Sequence, residues 1–391
     1  MIRSRRNLIL VFLYSITLIA LSLIVGYQVR ALWPPADERY SLLREAHRLV
    51  VDNYFGDLPA QLDLERGMIR GMVVEIDDPY TVYVEPTAHE LQTDNLSGQY
   101  GGIGAYLYQD EEGMYYFVPF EDGPAAQAGI IEGDIIVAID GVEIGPQSLL
   151  NDVLALIRGA VGTEVTISLA PRLAGGDRLT ITIERQAFPI PSVTSYILPS
   201  NQQIGVLVIS LFSEKTPQEI EDAHEDLLAR GATALILDLR DNAGGLLDSA
   251  VATARYFLAD GLVLIERRRD NDQVVFRVEE IGKATEIPMV VLVNEATASS
   301  AEVVAAAFQG NGRAPLIGRE TFGKGSVQVV LELRDGSSLY VTSARWQTPD
   351  GRSLDHQGLE PDVQVPTEET DLDPFIKAAV DWFISSQQGM P

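Results

Sequence analysis

The sequence predicts a protein with an α/β core, in which a mixed sheet carries flanking helices, preceded by a mainly β unit with two helices and by a small helical domain. Three observations support this fold class. Strand-like and helix-like segments alternate across residues 190–370, short strands punctuated by glycine fill residues 98–186, and apolar residues recur at helical spacing within residues 37–97. Alternation of strands and helices is typical of a sheet covered by helices.

The helical domain, residues 37–97, contains three helical patterns. In RYSLLREAHRLVVDNYF the apolar residues follow a period close to 3.6, which predicts an amphipathic helix. LERGMIRGMVVEI predicts a second helix, which must end before Pro79 because proline cannot continue a helix. A third, shorter helix is predicted in PTAHELQTDNL.

The β unit, residues 98–186, combines strand-like segments with two helices. The strands include MYYFVPF, DIIVAIDG, EVTISLA and RLTITIE, and the helices are PAAQAG and SLLNDVLALIRG. Several of the strands alternate apolar and polar residues, which is typical of a sheet with one face in solvent. FPIPSV then provides a linker to the next unit.

The α/β core, residues 190–370, contains the buried-type strands IGVLVIS, ATALILDLR and PMVVLVN, each followed by a helical pattern. Residues 371–391 predict a closing helix that packs on this core. Ligands and catalytic groups in α/β sheets gather at the carboxyl ends of the strands, so we expect the functional site there.

Composition excludes several classes of function. The chain has 29 Lys and Arg against 56 Asp and Glu, a net charge of −27. Such a surface repels phosphate backbones, so no nucleic-acid partner is expected. The absence of cysteine excludes disulfides, thiol catalysis and cysteine-ligated metals. The four histidines are scattered without ligand spacing, and no metal or organic cofactor is expected.

Residues 1–30 differ in kind from the rest. Three arginines precede an apolar run from about Leu8 to Val29, which is long enough to cross a bilayer as a helix. No small-x-small cleavage site follows, so we interpret the segment as an uncleaved membrane anchor with its basic end in the cytoplasm. The acidic remainder would then be periplasmic or at the cell surface. A cleaved signal peptide, and therefore a secreted protein, is the alternative.

The stretch GRETFGKGSVQVVLEL places Gly318, Gly323 and Lys324 at the spacing of a phosphate-binding P-loop. Two features contradict a P-loop. The residue after the lysine should be Ser or Thr to hold magnesium, but it is Gly325. The following segment alternates like a strand, whereas a P-loop leads into a helix. A lysine between two glycines therefore needs another explanation.

Ser299 and Lys324 together indicate nucleophilic catalysis. Ser299 lies at a strand-to-helix turn, which exposes a serine beside backbone N–H groups. The flanking glycines let Lys324 approach closely and lose solvent, which lowers its pKa and frees the amine to deprotonate a serine. Taken singly, Ser299 with Glu302 also fits a helix capping box, and Lys324 fits a surface lysine. Gln328 shares the strand parity of Lys324, but a straight strand would separate them by about 13 Å, so contact requires a bend.

An acyl-transfer site also needs N–H donors aimed at the developing oxyanion. The segment ALILDLRDNAGGLLDSA offers them, because a buried strand ends in a turn with Gly244 and Gly245 before a helix begins. The N–H of Ser300, directly after Ser299, would be the second donor. An ordinary strand-to-helix turn explains the same pattern equally well.

Five segments, in order, resemble the C-terminal processing peptidases, also called tail-specific proteases. They are IDDPYTVYVEP, DLRDNAGG, TASSAE, FGKGSVQ and TPDGRSLDHQGLEPDVQV. The resemblance implies a serine peptidase on the core of that family, with Ser299 as nucleophile, Lys324 as base and Gln328 as the residue that orients the lysine. Where the family has alanine and then serine, this chain has Ser300 and Ala301, so Ser300 is the alternative nucleophile if the register slips.

The β unit resembles a PDZ domain in the segments GQYGGIGAYL and DGPAAQAGIIEGDIIVAIDG. The resemblance implies that Gly102, Ile103 and Gly104 form the loop that holds a peptide's terminal carboxylate, while the peptide adds as a strand to a sheet edge. Arg158 stands where the family has an arginine connected with substrate sensing, although a surface arginine fits its position nearly as well.

The sequence thus predicts a serine endopeptidase that cleaves extracytoplasmic proteins whose apolar C-terminal tails are bound by the PDZ domain. One alternative is a catalytically silent PDZ scaffold on a protease fold. Another is a hydrolase whose base is His356. The sequence leaves open the substrate, whether the PDZ domain activates or inhibits, and whether a homo-oligomer or an activating partner is involved.

Overall fold

The computed structural model describes residues 40–170, 178–366 and 373–387, together with a few isolated positions between residues 21 and 28. The predicted anchor therefore lies almost wholly outside the described residues. Within the described part of the chain, no helix is both long and apolar enough to span a membrane.

Helices and strands are distributed along the whole described part of the chain. The helices are α1 (Ser41–Asn53), α2 (Gln61–Val74), α3 (Pro86–Ser97), α4 (Pro124–Gln127), α5 (Leu150–Ile157), α6 (Thr216–Ala229), α7 (Leu247–Phe257), α8 (Ser300–Gly310) and α9 (Pro374–Gln387). The strands are β1 (Val82–Val84), β2 (Gln99–Gly102), β3 (Ala105–Gln109), β4 (Tyr115–Pro119), β5 (Ile135–Ile139), β6 (Val142–Glu143), β7 (Glu164–Ala170), β8 (Leu179–Glu184), β9 (Gln186–Pro189), β10 (Val193–Ile197), β11 (Ile204–Ile209), β12 (Ala234–Asp238), β13 (Leu262–Arg268), β14 (Gln273–Arg277), β15 (Met289–Val293), β16 (Leu316–Gly318), β17 (Ser326–Glu332), β18 (Ser338–Gln347) and β19 (Val363–Gln364).

Contacts within the chain define two compact units, Met1–Ile69 and Arg70–Pro391. The first contains α1 and the start of α2, and α1 has no buried residue. The second contains α3 and β1, which the sequence assigns to the helical domain. Because β1 pairs with β18, this segment contributes a strand to a sheet formed mainly by residues far along the chain. The predicted boundary of the helical domain at residue 97 remains a prediction.

The α/β core is built on a six-stranded mixed sheet in the order β10-β11-β12-β15-β16-β19. Its strands are parallel except for the antiparallel pair β10–β11. One face packs against α6, α7 and α8 in a cluster that includes Leu237, Val291 and Phe308. The other face packs against α9 through Phe375 and Phe383. Burial on both faces explains why these strands are almost continuously apolar.

A second sheet has the order β1-β18-β13-β14, with β17 also paired to β18. All of its pairs are antiparallel. The hairpin of β17 and β18 confirms the strand-turn-strand prediction for the segment after Lys324 and removes the P-loop interpretation. β17 begins at Ser326, two residues after Lys324, so the lysine lies at the start of this sheet's strand.

The β unit forms a six-stranded antiparallel sheet, β3-β4-β5-β7-β8 with β6 on β5, accompanied by α4 and α5. Its own core includes Phe117, Ile136 and Ile167. The antiparallel ribbon of β2 and β9 connects this unit to the rest of the chain. A glycine is required at Gly101 because a Cβ there would lie 2.0 Å from the carbonyl oxygen of Gly159.

Three neighbouring parallel strands of the core sheet end at the same edge. The turn with Gly244 and Gly245 follows β12, the turn with Ser299 follows β15, and the segment with Lys324 follows β16. This arrangement is the one expected when catalytic groups gather at the carboxyl ends of strands.

Candidate active site

Ser299 is the last residue before α8 and has an unusual backbone conformation, with φ 55° and ψ −121°. A positive φ is rare for a residue with a side chain and is found mainly where the surrounding structure enforces it. Gly244 packs directly behind it, because a Cβ on that glycine would lie 2.8 Å from the Ser299 Cβ. The Ser299 side chain is half-buried and lines a cleft.

Backbone hydrogen bonds connect the three turns that form the site. The Ala298 N–H donates to the carbonyl oxygen of Asn242 at 2.9 Å, which joins the serine turn to the glycine turn. The Phe322 N–H donates to the carbonyl oxygen of Thr297 at 3.0 Å, which joins the lysine segment to the serine turn. The relative positions of the three turns are therefore set by main-chain contacts.

Lys324 is half-buried between the two sheets. Its Nζ atom lies 5.0 Å from the centre of the Tyr80 ring. Burial lowers the pKa of Lys324, and the negative charges of Asp78 and Glu302 partly oppose that effect. The buried indole of Trp346 donates to the Lys324 carbonyl oxygen at 3.1 Å and fixes the backbone there. This is the environment that favours an uncharged amine.

Ser299 and Lys324 line the same cleft, of about 360 Å³, with Gly245, Ser300 and Gln328. Much of the remaining lining is apolar. The large apolar side chains there are Leu96, Leu211, Leu246, Leu247, Val303, Val327, Val330 and Trp346. An apolar cleft with a few convergent polar groups is the usual form of a ligand site. Among the described residues, no hydrogen bond joins the Ser299 hydroxyl to the Lys324 amine.

Glu302 connects the serine turn to the lysine segment, and the sequence reasoning gave it only the role of a helix cap. Its carboxylate is completely buried and accepts four hydrogen bonds. One oxygen accepts the N–H groups of Ser299 and Lys324, both at 2.9 Å. The other accepts the Thr321 hydroxyl and the Gly323 N–H. Burial raises the pKa of Glu302, and the four donors oppose the rise.

Ser300, the alternative nucleophile, occupies a different environment from Ser299. It is the first residue of α8 and is 3% exposed. Its hydroxyl donates to the carbonyl oxygen of Gly245 at 2.9 Å. Its position therefore fits a structural contact between the two turns better than an attack on a substrate in the cleft.

The predicted oxyanion donors are Gly244, Gly245 and Ser300, and the structure distinguishes among them. The Gly244 N–H is already engaged, because it donates to the Asn242 side-chain oxygen at 2.8 Å. Within the described part of the chain, the N–H groups of Gly245 and Ser300 have no hydrogen-bond partner. The N–H of Gly244 is therefore occupied in this structure, those of Gly245 and Ser300 are available, and the assignment of oxyanion donors stays a prediction.

In the described part of the chain, no hydrogen bond joins the Gln328 amide to the Lys324 amine. β17 begins only at Ser326, and its pairing with β18 shifts register between Val327 and Gln328. Lys324 therefore precedes the strand, and the alternation on which the prediction was based does not extend to it. The Gln328 amide donates instead to the Ser326 hydroxyl at 2.8 Å.

His356, the alternative base, is exposed and lines another cleft with Tyr80 and Ser326. It does not line the cleft shared by Ser299 and Lys324. Its backbone N–H donates to the Gly323 carbonyl oxygen at 3.0 Å, so its contact with the lysine segment is through the main chain.

The predicted carboxylate loop of the β unit has two available donors. Gly102 ends β2, Ile103 is buried in the core of the unit, and Gly104 has a φ of 71°. In the described residues, the N–H groups of Ile103 and Gly104 have no hydrogen-bond partner. Adjacent free N–H groups of this kind are suited to an anion.

Arg158 lies at the end of α5 and contacts one residue of β2 and one of α3. Its guanidinium lies 4.3 Å from the centre of the Tyr100 ring and 3.9 Å from the Asp94 carboxylate. Burial raises the pKa of Asp94 to about 6, and the charge of Arg158 partly opposes the rise. The side chain therefore connects α5 to β2 and to α3.

Comparison with known proteins gives consistent matches to one group of enzymes. Residues 203–365 match the model of Peptidase family S41, and residues 121–171 match the PDZ domain. The Carboxy-terminal processing protease CtpA of Bacillus subtilis (strain 168) is 34% identical over 343 residues, which cover 88% of this chain and 72% of that protein. A Probable CtpA-like serine protease of Staphylococcus aureus (strain N315) is 33% identical over 306 residues, 78% of this chain and 60% of that one. Among solved structures, the photosystem II D1 C-terminal processing protease aligns over 86% of this chain and 87% of its own, with 30% identity and a TM-score of 0.48.

Proposed function

Because the chain belongs to peptidase family S41, the C-terminal processing serine peptidases, we propose that Ser299 is its nucleophile and Lys324 its general base. The observation that carries this proposal is the shared cleft. A half-buried lysine with a lowered pKa and a serine in a strained turn line it together. Ser300 is buried with its hydroxyl engaged, and His356 lines another cleft, so neither competes for these roles.

The proposed reaction passes through an acyl-enzyme. The neutral Lys324 amine takes the proton from the Ser299 hydroxyl as its oxygen attacks the scissile carbonyl carbon. The N–H groups of Gly245 and Ser300 stabilise the negative charge that develops on the carbonyl oxygen. The lysine then gives the proton to the departing amine, the C–N bond breaks, and a water molecule hydrolyses the remaining ester to regenerate Ser299.

The geometry fits a resting form of such an enzyme. The Ser299 hydroxyl and the Lys324 amine are not hydrogen-bonded to each other, and Gln328 is bonded to Ser326. Catalytic hydrogen bonds often form only when substrate is bound. Binding of substrate would then shift the population toward an arrangement in which Gln328 turns toward the lysine.

We further propose that the β unit recognises the C-terminal tail of the substrate. The free N–H groups of Ile103 and Gly104 would hold the terminal carboxylate, and the unpaired edge of β3 would pair with the tail as an added strand. Apolar residues of the tail would pack on the core side of that edge, beside Leu107.

The proposed location is outside the cytoplasm, with residues 1–30 as the anchor, and it rests on the sequence alone. Fractionation of cells that express the full-length chain would test it. Recovery in the membrane fraction, with the bulk of the chain open to external protease, is expected. Recovery of a shortened chain in the medium would indicate a cleaved signal peptide instead.

The catalytic proposal is tested by incubating the full-length protein with an unfolded protein that ends in apolar residues. Wild type is compared with Ser299→Ala, Lys324→Ala, Ser300→Ala and the exposed control Lys377→Ala, and products are identified by mass spectrometry. We expect cleavage by wild type, Ser300→Ala and Lys377→Ala, and none by the other two.

Two other results would contradict the proposal. Cleavage that survives Ser299→Ala but not Ser300→Ala would make Ser300 the nucleophile. Absence of cleavage by wild type, with retained binding of the tail, would favour the catalytically silent PDZ scaffold.

A further inference from the structure

The β unit carries a cluster of aromatic rings at its surface, which we call the aromatic face: the exposed Tyr106 and Tyr108 and the half-buried Tyr116 and Phe120. Tyr106 and Tyr108 lie on β3 and are 59% and 47% exposed. The Tyr106 ring lies 4.8 Å from the ring of Phe120, and the Tyr108 ring lies 5.8 Å from that of Tyr116. Adjacent exposed aromatic residues are uncommon on a surface that is not used for binding.

The aromatic face lies on the strand at which the proposed tail would bind. β3 begins directly after Gly104 and is the edge strand of its sheet, since β4 is its one partner strand among the described residues. Ala105 and Leu107 pack against the core of the unit, so the alternate residues Tyr106 and Tyr108 point to the opposite side. A tail added to β3 would have one set of alternate side chains on the core side and the other set beside the aromatic face.

Side chains alternate along an added strand, so the side on which the terminal residue of the tail packs determines which other tail residues lie beside the aromatic face. An apolar terminal side chain is favoured on the core side, where Ile103, Leu107 and Ile157 belong to one apolar cluster. The residue before the terminal one, position −1, and the third before it, position −3, then lie beside Tyr106 and Tyr108. Positions −2 and −4 lie on the core side.

Charge indicates which side chains would be favoured there. The segment from Gln99 to Ile157 contains ten Asp and Glu and no Lys or Arg. Glu121 and Asp122 directly follow Phe120 and are exposed. Tyrosine ring faces attract cations, and a surface with an excess of negative charge attracts positive residues and repels carboxylates.

We infer that the aromatic face selects tails that carry Lys or Arg at positions −1 and −3, next to an apolar terminal residue. This inference rests on the proposed binding of tails by the β unit. It gives the substrate class a second feature, because cationic side chains would alternate with apolar ones at the C-terminus.

The test measures binding of labelled peptides to the full-length Ser299→Ala protein, which should not cleave them. The peptides end in Gln-Ala-Gln-Val (neutral), Lys-Ala-Lys-Val (cationic), Glu-Ala-Glu-Val (acidic) or Lys-Ala-Lys-Gln-Val (shifted), and the neutral one is also made as a C-terminal amide. We expect the cationic peptide to bind about tenfold more tightly than the neutral one. The acidic peptide should bind more weakly than the neutral one, and the shifted peptide should lose most of the gain.

Substitutions on the protein locate the effect. Tyr106→Ala with Tyr108→Ala should remove the gain, so that this double variant binds the cationic and the neutral peptide with similar affinity. Tyr196→Ala, a partly exposed tyrosine on β10, is the matched control and should keep the gain. A gain that persists in the double variant, or that the shifted peptide shows equally, would overturn the inference.

The same measurements separate this inference from the proposed function. If the neutral peptide binds and its amide does not, tail recognition holds. Equal affinities of the neutral and cationic peptides would then refute the aromatic-face inference alone. If none of the peptides binds, tail recognition and the inference both fail.

Discussion

Replacing Glu302 by glutamine should damage both the stability and the activity of the protein. One oxygen of this buried carboxylate accepts the N–H groups of Ser299 and Lys324, and the other accepts donors from Thr321 and Gly323. Glutamine has nearly the same shape, but one of its two polar atoms is an NH₂ donor. Whichever way the amide turns, two of the four donors would face another donor.

The size of the effect follows from burial, since Glu302 is 0% exposed. A buried donor without a partner costs roughly 1–3 kcal/mol, so two such donors should lower the free energy of unfolding by ~2–6 kcal/mol. That is a large part of the roughly 5–15 kcal/mol by which proteins are typically stable. Because the same carboxylate positions the serine turn and the lysine segment, kcat should fall by at least about tenfold even where the variant remains folded.

The assay combines denaturant unfolding with peptidase kinetics at a temperature where the variant is folded. Glu320→Gln is the matched control, because this glutamate lies on the same segment and is exposed. The control should change the free energy of unfolding by less than about 0.5 kcal/mol. A Glu302→Gln protein with the unfolding midpoint and kcat of wild type would refute the role assigned to this carboxylate.

Three further predictions concern the site and its surroundings. Burial lowers the pKa of Lys324, so the peptidase rate should rise with pH and become constant below the pH at which an exposed lysine loses its proton. A rate that still rises at that pH would show that the catalytic base does not have a lowered pKa. Gly245→Ala should lower kcat by about a hundredfold or more, because the new Cβ would lie 2.2 Å from the Phe212 carbonyl oxygen and displace an oxyanion donor. The control is Gly312→Ala, whose Cβ has no neighbour within 4 Å and which should lose little activity. Similar losses of activity in both variants would contradict the role of Gly245. Burial raises the pKa of Asp94 to about 6, so its protonation stabilises the folded state at low pH, and this contribution is lost as pH rises from about 4 through about 6. Asp94→Asn should therefore reduce the change of thermal stability with pH over that range. An unchanged pH dependence would assign the effect to other groups.

Local patterns in the sequence predict much of the core and the cleft. The apolar runs predict the buried strands, and the turn from β15 into α8 follows from a polar turn before an alanine-rich helix. The alternation after Lys324 predicts β17, which is enough to exclude a P-loop. These features depend on residues close together in the chain, so the sequence displays them directly.

Contacts between distant segments are less visible. S-x-x-E indicates a helix cap, but nothing local indicates that Glu302 also accepts the N–H groups of Gly323 and Lys324, which are 21 and 22 residues away. The sequence also does not indicate that the Asn242 side chain accepts the Gly244 N–H, or that the Gln328 amide donates to the Ser326 hydroxyl. Both are local side-chain hydrogen bonds, which the hydrophobic periodicity of the sequence does not register.

Because β2 pairs with β9, the chain enters and leaves the PDZ unit at one place, and the unit could be exchanged as a module. In an antiparallel pair, opposing Cα atoms lie about 4.5–5.5 Å apart, so the residues where the chain enters and leaves, Gly102 and Gln186, are direct neighbours. Among the described residues, the core of the unit shares no member with the cluster beneath α6, α7 and α8. The corresponding module of a relative could therefore be grafted between the two strands, while the core sheet and its cleft are kept.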